Sequence, residues 1–356
     1  MVGGVDRDHP TTPRRGSVPV GRRDRPRSRS RLAHAVAAIV LLGSVTLSSC
    51  SGEVLDDRVR IAGSETLRTY LSAASGAFLS EQPSAEVVLD LTGTGEGLSR
   101  LCDGLVEVAA ASRPINDRER RACEQSGVEP VELSVGLDAV ALVTAPDTGP
   151  VCLSPTQLYA ATGPESTGFD DWSAAQALAQ QIDPATPALA LADTDVPLTV
   201  FGPRSGSGTV DTYVEFAVEP LATERGASSE LRADITPSPS SGLTITESIA
   251  GPASLGIVGY AELARTEEQG RPVQVLVNGT CVAPDATSIA NGTYPIQRDL
   301  RLYVDRDVAT TNETAVRLIE LVISDAGQEL ADRVGVVRVP ADQLAATRST
   351  WSSTVG

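Results

Sequence analysis

Apolar positions recur along this chain in two rhythms, every second residue and every third or fourth, and their alternation predicts layered strands and helices. Residues 58–62 read as a strand, and 64–79 as a helix with Leu67, Leu71, Ala74 and Phe78 on one face. A strand over 85–91, a short helix near 98–102, a strand around 106–111, a charged helix over 116–125 and a long strand over 131–144 follow. Past Pro146 the texture changes to turns, a helix at 155–161, an alanine-rich stretch through Ala190 and a strand at 196–201. A helix over 207–218, a Ser/Pro-rich loop at 236–241 and a helix over 242–250 continue this part. Strands at 255–258, 273–277 and 302–304 and a helix at 313–324 return to the first texture. The pattern predicts an α/β protein with a discontinuous first lobe, 58–140 and 254–345, and a second lobe, 141–253, inserted into it.

The start of the chain follows a different pattern. Nine arginines precede Cys50, an apolar run covers 35–47, and Leu47-Ser48-Ser49-Cys50 closes it. This resembles a bacterial lipoprotein signal, with a positive opening, a short apolar stretch and small residues before one cysteine. The run is shorter than the roughly 20 residues that span a bilayer. The expectation is removal of 1–49, lipidation of Cys50, and a polar tether, 50–57, holding the domain to the membrane at the outer face of the bacterial cytoplasmic membrane.

The 356 residues carry a formal charge of −17. Without 1–49, which hold 9 Arg and 3 Asp, 20 Arg face 43 acidic residues, a formal charge of −23. Nucleic acid is a poor partner for such a surface. All 29 basic residues are arginine, and the two histidines, His9 and His34, lie in the signal segment. A Ser-His-Asp or Cys-His nucleophile pair, a histidine metal ligand and a lysine Schiff base are thereby excluded from the mature chain. No cofactor or metal site is implied, and catalysis is not expected.

Cys102, Cys123, Cys152 and Cys281 are an even number in a chain the signal places outside the cytoplasm, so disulfides are expected. Three pairings are open. Cys102 with Cys123 and Cys152 with Cys281 is favoured because the first closes a short loop, worth around 3 kcal/mol. A four-cysteine zinc site is disfavoured by the lack of any C-x-x-C spacing.

Three strand-to-helix junctions are rich in Gly, Ser and Thr: Ala62-Gly63-Ser64-Glu65-Thr66, Thr92-Gly93-Thr94-Gly95-Glu96-Gly97, and Gly202-Pro203-Arg204-Ser205-Gly206-Ser207-Gly208-Thr209. Helix N-termini present unpaired N–H groups and the positive end of a dipole, and small residues let an anion approach. Ala110-Ala111-Ser112-Arg113-Pro114 adds an arginine at a fourth strand end. Neither Gly-rich stretch matches a phosphate-loop or dinucleotide fingerprint.

With Asp138 in V-G-L-D-A-V, S-L-G-I-V-G-Y at 254–260 and Cys281 in N-G-T-C-V-A-P, these motifs resemble the PstS-like phosphate-binding proteins of ABC transporters, over about 59–339. The resemblance implies a two-lobed type II periplasmic-binding-protein fold with hinge strands, closing on one dehydrated oxyanion. It implies Ser64 and Thr66 as donors from the first lobe, N–H groups around Gly95, and Ser112 and Arg113 beside the anion. Asp138 would accept from a protonated phosphate oxygen or hold Arg113, while Arg204, Ser207, Gly208 and Thr209 close from the second lobe. The implied partners are inorganic phosphate or a similar oxyanion and an ABC permease, served by a monomer.

Several positions depart from the family pattern. Glu65 and Glu96 bring acids into both gathering loops, Gly206 replaces a common aspartate, and Arg68 and Thr69 replace an aromatic and a proline. A cleft-facing carboxylate about 4 Å from phosphate would cost roughly 4 kcal/mol per unit charge at an effective dielectric near 20. A first-turn glutamate pointing to water would instead stabilise its helix. The departures leave open a degenerate module with a different ligand or none, sensing or scaffolding at the cell surface.

Overall fold

A computed structural model describes residues 57–191, 194–203, 207–266 and 270–356. The signal segment, Cys50, most of the tether and Arg204 lie outside the described residues. The strands are β1 (Arg58–Gly63), β2 (Glu86–Asp90), β3 (Val108–Ala111), β4 (Pro130–Thr144), β5 (Cys152–Leu153), β6 (Val200–Gly202), β7 (Thr236–Pro237), β8 (Leu255–Gly259), β9 (Arg271–Val277), β10 (Thr280–Val282) and β11 (Gln297–Asp305). They run in the order β2-β1-β3-β11-β4-β8-β6-β7, with β9 pairing β4, β5 and β10. Strands β1, β2 and β3 are parallel, and β11 is antiparallel to both β3 and β4.

The first half repeats a strand and helix unit, as the periodicity predicts. Helix α1 (Arg68–Glu81) follows a 3-10 turn, Glu65–Leu67, and α2 (Thr94–Cys102) and α3 (Asp117–Ser126) follow β2 and β3. Two glycines are demanded by close packing, Gly97 where α2 lies on β1 and Gly63 where β1 meets β3. A Cβ on Gly97 would collide with Gly63, and one on Gly63, at φ 138°, with the Ala110 carbonyl. Asn116 and Glu119 form a capping box that starts α3, and Gly127 ends it in the left-handed region.

Strand β4 is the structural spine. Its residues 130–139 pair with β11, while Val140–Val143 pair with β8 and Leu142–Thr144 with β9. One large core gathers Val59, Ile61, Leu71, Leu133, Val135, Leu300 and Leu318. A second gathers Leu137, Val140, Leu158, Trp172, Tyr213, Ile257, Val273 and Ile296. Both β4, between Val135 and Leu137, and β11, after Ile296, thus pass from one core to the other. Residues 254–296, read with the first lobe in the sequence, contribute Leu255, Ile257, Val273, Val275 and Tyr294 to the second core.

Further helices surround the second core: α4 (Pro155–Thr162), α5 (Trp172–Ile182), α6 (Gly208–Ala217), α7 (Glu219–Arg225) and α8 (Ser241–Ala250). The helix predicted over 313–324 ends at Ile323, where Ser324 caps a further helix, Asp325–Arg333. The helix Ala341–Val355 went unpredicted because its buried face mixes Leu344 and Trp351 with Thr347 and Thr354. Both favoured disulfides are present, Cys102–Cys123 and Cys152–Cys281. Among the described residues no helix is long and apolar enough to cross a membrane.

Candidate functional site

The residues singled out by the sequence gather into two adjoining groups. In the first, Arg298 of β11 sits at the centre. Its Nη2 donates to Thr66 Oγ1 at 2.8 Å and to Asp138 Oδ2 at 2.9 Å, and its Nε to the same carboxylate oxygen at 3.3 Å. Its Nη1 donates to the Gly208 carbonyl at 2.7 Å and to Thr212 Oγ1 at 2.6 Å. Thr66 comes from the turn before α1, Asp138 from β4, and Gly208 and Thr212 from α6. The pair is secluded, with the Arg298 and Asp138 side chains 11% and 8% exposed. A Cβ on Gly208 would sit 3.1 Å from Thr66 Oγ1 and 3.2 and 3.4 Å from the terminal nitrogens of Arg298.

In the second group, Thr94 at the start of α2 meets Ser112 at the end of β3. The Ser112 N–H donates to Thr94 Oγ1 at 3.2 Å, and the two hydroxyls are 3.2 Å apart. Arg113 lies over Gly95, its Nη2 3.6 Å from where a Cβ there would stand. Its guanidinium is forked onto Glu119, at 2.9 and 2.7 Å. That hydrogen-bonded carboxylate holds the Arg113 pKa above its ordinary value. For Glu119 burial pushes upward, but the bonds from Arg113 and the Asn116 N–H prevail and keep it below the usual carboxylate range. Asp138 therefore holds Arg298 and not Arg113, because Glu119 reaches Arg113 from within the same turn and cap.

Arg298 and Thr212 of the first group and Ser112 and Arg113 of the second line one cavity of about 460 Å³, beside Arg301 and the carboxylates of Glu215 and Asp299. A larger cavity, about 770 Å³, lies against the opposite face of α6, beside Val210, Val214 and Ile235. Among the described residues none of the predicted ones lines it.

The remaining predicted residues that the structure describes line neither cavity. Ser64 is buried, and its N–H donates to the Ala110 carbonyl at 2.8 Å. Ser207 caps α6, its Oγ accepting from the Val210 N–H at 3.2 Å, while the N–H groups of Gly208 and Thr209 ahead of it have no acceptor within the helix itself. Thr209 lies against Gly259 of β8, its Oγ1 3.9 Å from where a Cβ there would stand. Glu65 turns outward, 77% exposed, with its carboxylate 3.4 Å from Arg68. Glu96 is also exposed on α2.

Arg298, Thr94, Thr212 and Glu119 were not anticipated. For Arg298 a signal existed. Arg298, Leu300 and Leu302 fall on alternate positions of β11, Ile296 precedes them by the same step, and the three apolar residues are buried. An arginine on such a face requires a buried acceptor set. For Glu119 the capping-box spacing from Asn116 was also visible.

The chain is 26% identical over 295 residues to protein SphX of Synechococcus elongatus, covering 82% of this chain and 80% of that one. It is 24% identical over 315 residues to the phosphate-binding protein PstS of Staphylococcus epidermidis, covering 86% and 88%. Among solved structures, a possible phosphate-binding protein from Planctomyces limnophilus superposes with a TM-score of 0.66 at 22% identity, over 84% of this chain and 99% of that one. A putative phosphate ABC transporter substrate-binding protein from Clostridium perfringens, with bound phosphate, gives 0.55 at 20% identity, over 80% and 100%. These likenesses agree with the two-lobed α/β architecture. The PBP superfamily domain matches residues 35–326, and the chain belongs to that family.

Proposed function

We propose that the protein is a solute-binding protein that captures phosphate, or a related tetrahedral oxyanion, between its two cores. It would act while tethered through lipidated Cys50 at the outer face of the cytoplasmic membrane, and deliver the anion to an ABC permease. The observation that carries this reading is the meeting of Thr66 with the N-terminus of α6 across Arg298 and Asp138, at the place where β4 and β11 pass between the cores. The proposed donors are the hydroxyls of Thr66, Ser112, Ser207 and Thr209 and the N–H groups of Gly95 and Gly208, with Ser64 beneath them; Arg204, outside the described residues, is proposed as a further donor. Neutral dipoles fixed before binding replace the hydration shell of an anion with little reorganisation. The outward turn of Glu65 onto Arg68 supports the reading, since a surface carboxylate is screened from the cleft by water.

The lobes are proposed to be the two cores, with β4 and β11 as the hinge strands between them, and the working form a monomer. Ligand shifts such a protein toward closure only through contacts to both walls. The named relatives support phosphate over other anions. The phosphate-binding role of a named relative, together with the lack of histidine and lysine after residue 49, supports binding without catalysis. One observation favours a degenerate sensing or scaffolding module instead, namely that Arg113 and Arg298 both spend their forks on protein acceptors.

Calorimetric titration separates the two. Protein unfolded and refolded to remove any carried-over anion is titrated with phosphate, with sulfate as comparator. Tight binding selective for phosphate is the expected result, and a folded sample that gives no heat with either anion overturns it.

A further inference from the structure

We infer that Arg298 is a positioning residue that holds the two walls of the cleft in register before any anion arrives. The inference rests on the phosphate-capture reading for its purpose, though not for its geometry. A guanidinium has five N–H donors in a rigid planar fork. Here each has a protein acceptor: two on Asp138 Oδ2, and one each on Thr66 Oγ1, the Gly208 carbonyl and Thr212 Oγ1. Arg298 therefore offers no free donor to an anion in this arrangement. Its effect lies in what it places.

Thr66 belongs to the wall of the first core, and Gly208 and Thr212 to the wall of the second, so one planar group sets the separation of the two. Asp138, on the strand that joins the cores, supplies the counter-charge and fixes the plane. The contacts are tight enough that Gly208 has no room for a side chain without moving Thr66 or Arg298. A lysine, with three donors on one nitrogen, cannot reach acceptors on both walls and also satisfy Asp138 in that plane.

Spin labels at Glu124→Cys on α3 and Glu224→Cys on α7, both exposed, report the wall separation in ligand-free protein. The doubly labelled protein is compared with its R298K and R298A forms, and each unlabelled variant is titrated with phosphate. The expected result is one narrow distance distribution that broadens and lengthens in R298K and R298A. Phosphate affinity of R298K should fall about tenfold. An unchanged distribution in the variants overturns the inference whatever the affinity does, because Arg298 would then act on the anion alone. Should R298A fail to fold, R298K decides by the same criterion. Absence of phosphate binding by the unsubstituted protein would overturn the phosphate reading and leave the distance measurement to judge Arg298.

Discussion

Arg113 meets Glu119 and Arg298 meets Asp138 in bonds of similar length on one cavity, yet the two pairs are built differently. Arg113 finds its acid six residues along the chain, and its side chain is 43% exposed. Arg298 finds its acid 160 residues away, and the pair is almost wholly secluded. The first pair organises a loop, since Glu119 also caps α3 and Arg113 covers Gly95. The second joins three distant segments. A charge pair that closes locally stays near water and contributes little, whereas one shut between two cores is costly to break.

The largest test of this contrast is Asp138→Ala. It leaves Arg298 buried without its counter-charge and is expected to destabilise the protein by about 3–5 kcal/mol in urea unfolding. Loss of less than about 1 kcal/mol would place the pair among ordinary surface bridges. Next come two glycines. Gly208→Ala pushes a methyl against Thr66 and Arg298 and should weaken phosphate binding about tenfold, or ~1.4 kcal/mol, by calorimetry. Gly95→Ala meets Arg113 at an ordinary 3.6 Å and should leave affinity within about twofold. Equal losses at the two positions would erase the distinction between the walls.

Glu119→Ala should cost about 1 kcal/mol, through the lost capping box and a half-exposed ion pair. The smallest effect is on pH dependence. Because the folded Glu119 carboxyl titrates below its ordinary 4.5, its contribution is present above that value and fades as pH falls through the lower folded value. Glu119→Gln should therefore flatten the loss of stability below about pH 4.5 in thermal unfolding, while leaving the profile at neutral pH unaltered.

Much of the first half was legible because each element carries its own signal. The stripe of Leu67, Leu71, Ala74 and Phe78, the cap at Asn116 and the all-apolar 108–111 need no distant partner to be read. The helix Ala341–Val355 escaped because two of its buried positions are threonines, and Asp325–Arg333 because its buried positions are Gly327, Gln328 and Ala331 and not large apolar residues. At the site, Thr66, Asp138 and Gly208 stand together around Arg298, and of the two roles the resemblance implied for Asp138 the one on Arg113 is taken by Glu119. The missing member was Arg298, on a strand read only over 302–304 when it spans Gln297–Asp305.

The sequence by itself determined the alternation of strands and helices, the small-residue junctions and the cysteines, all set by local sterics, periodicity and composition. Tertiary structure alone decided that both Leu137 and Ile296 belong to the second core, and that Arg298 stands between Thr66, Asp138 and α6. The reason is physical. An arginine's partners in a closed interior are whichever acceptors the packing of remote segments delivers, and the cost of leaving any donor unpaired there selects the arrangement only after the cores have formed.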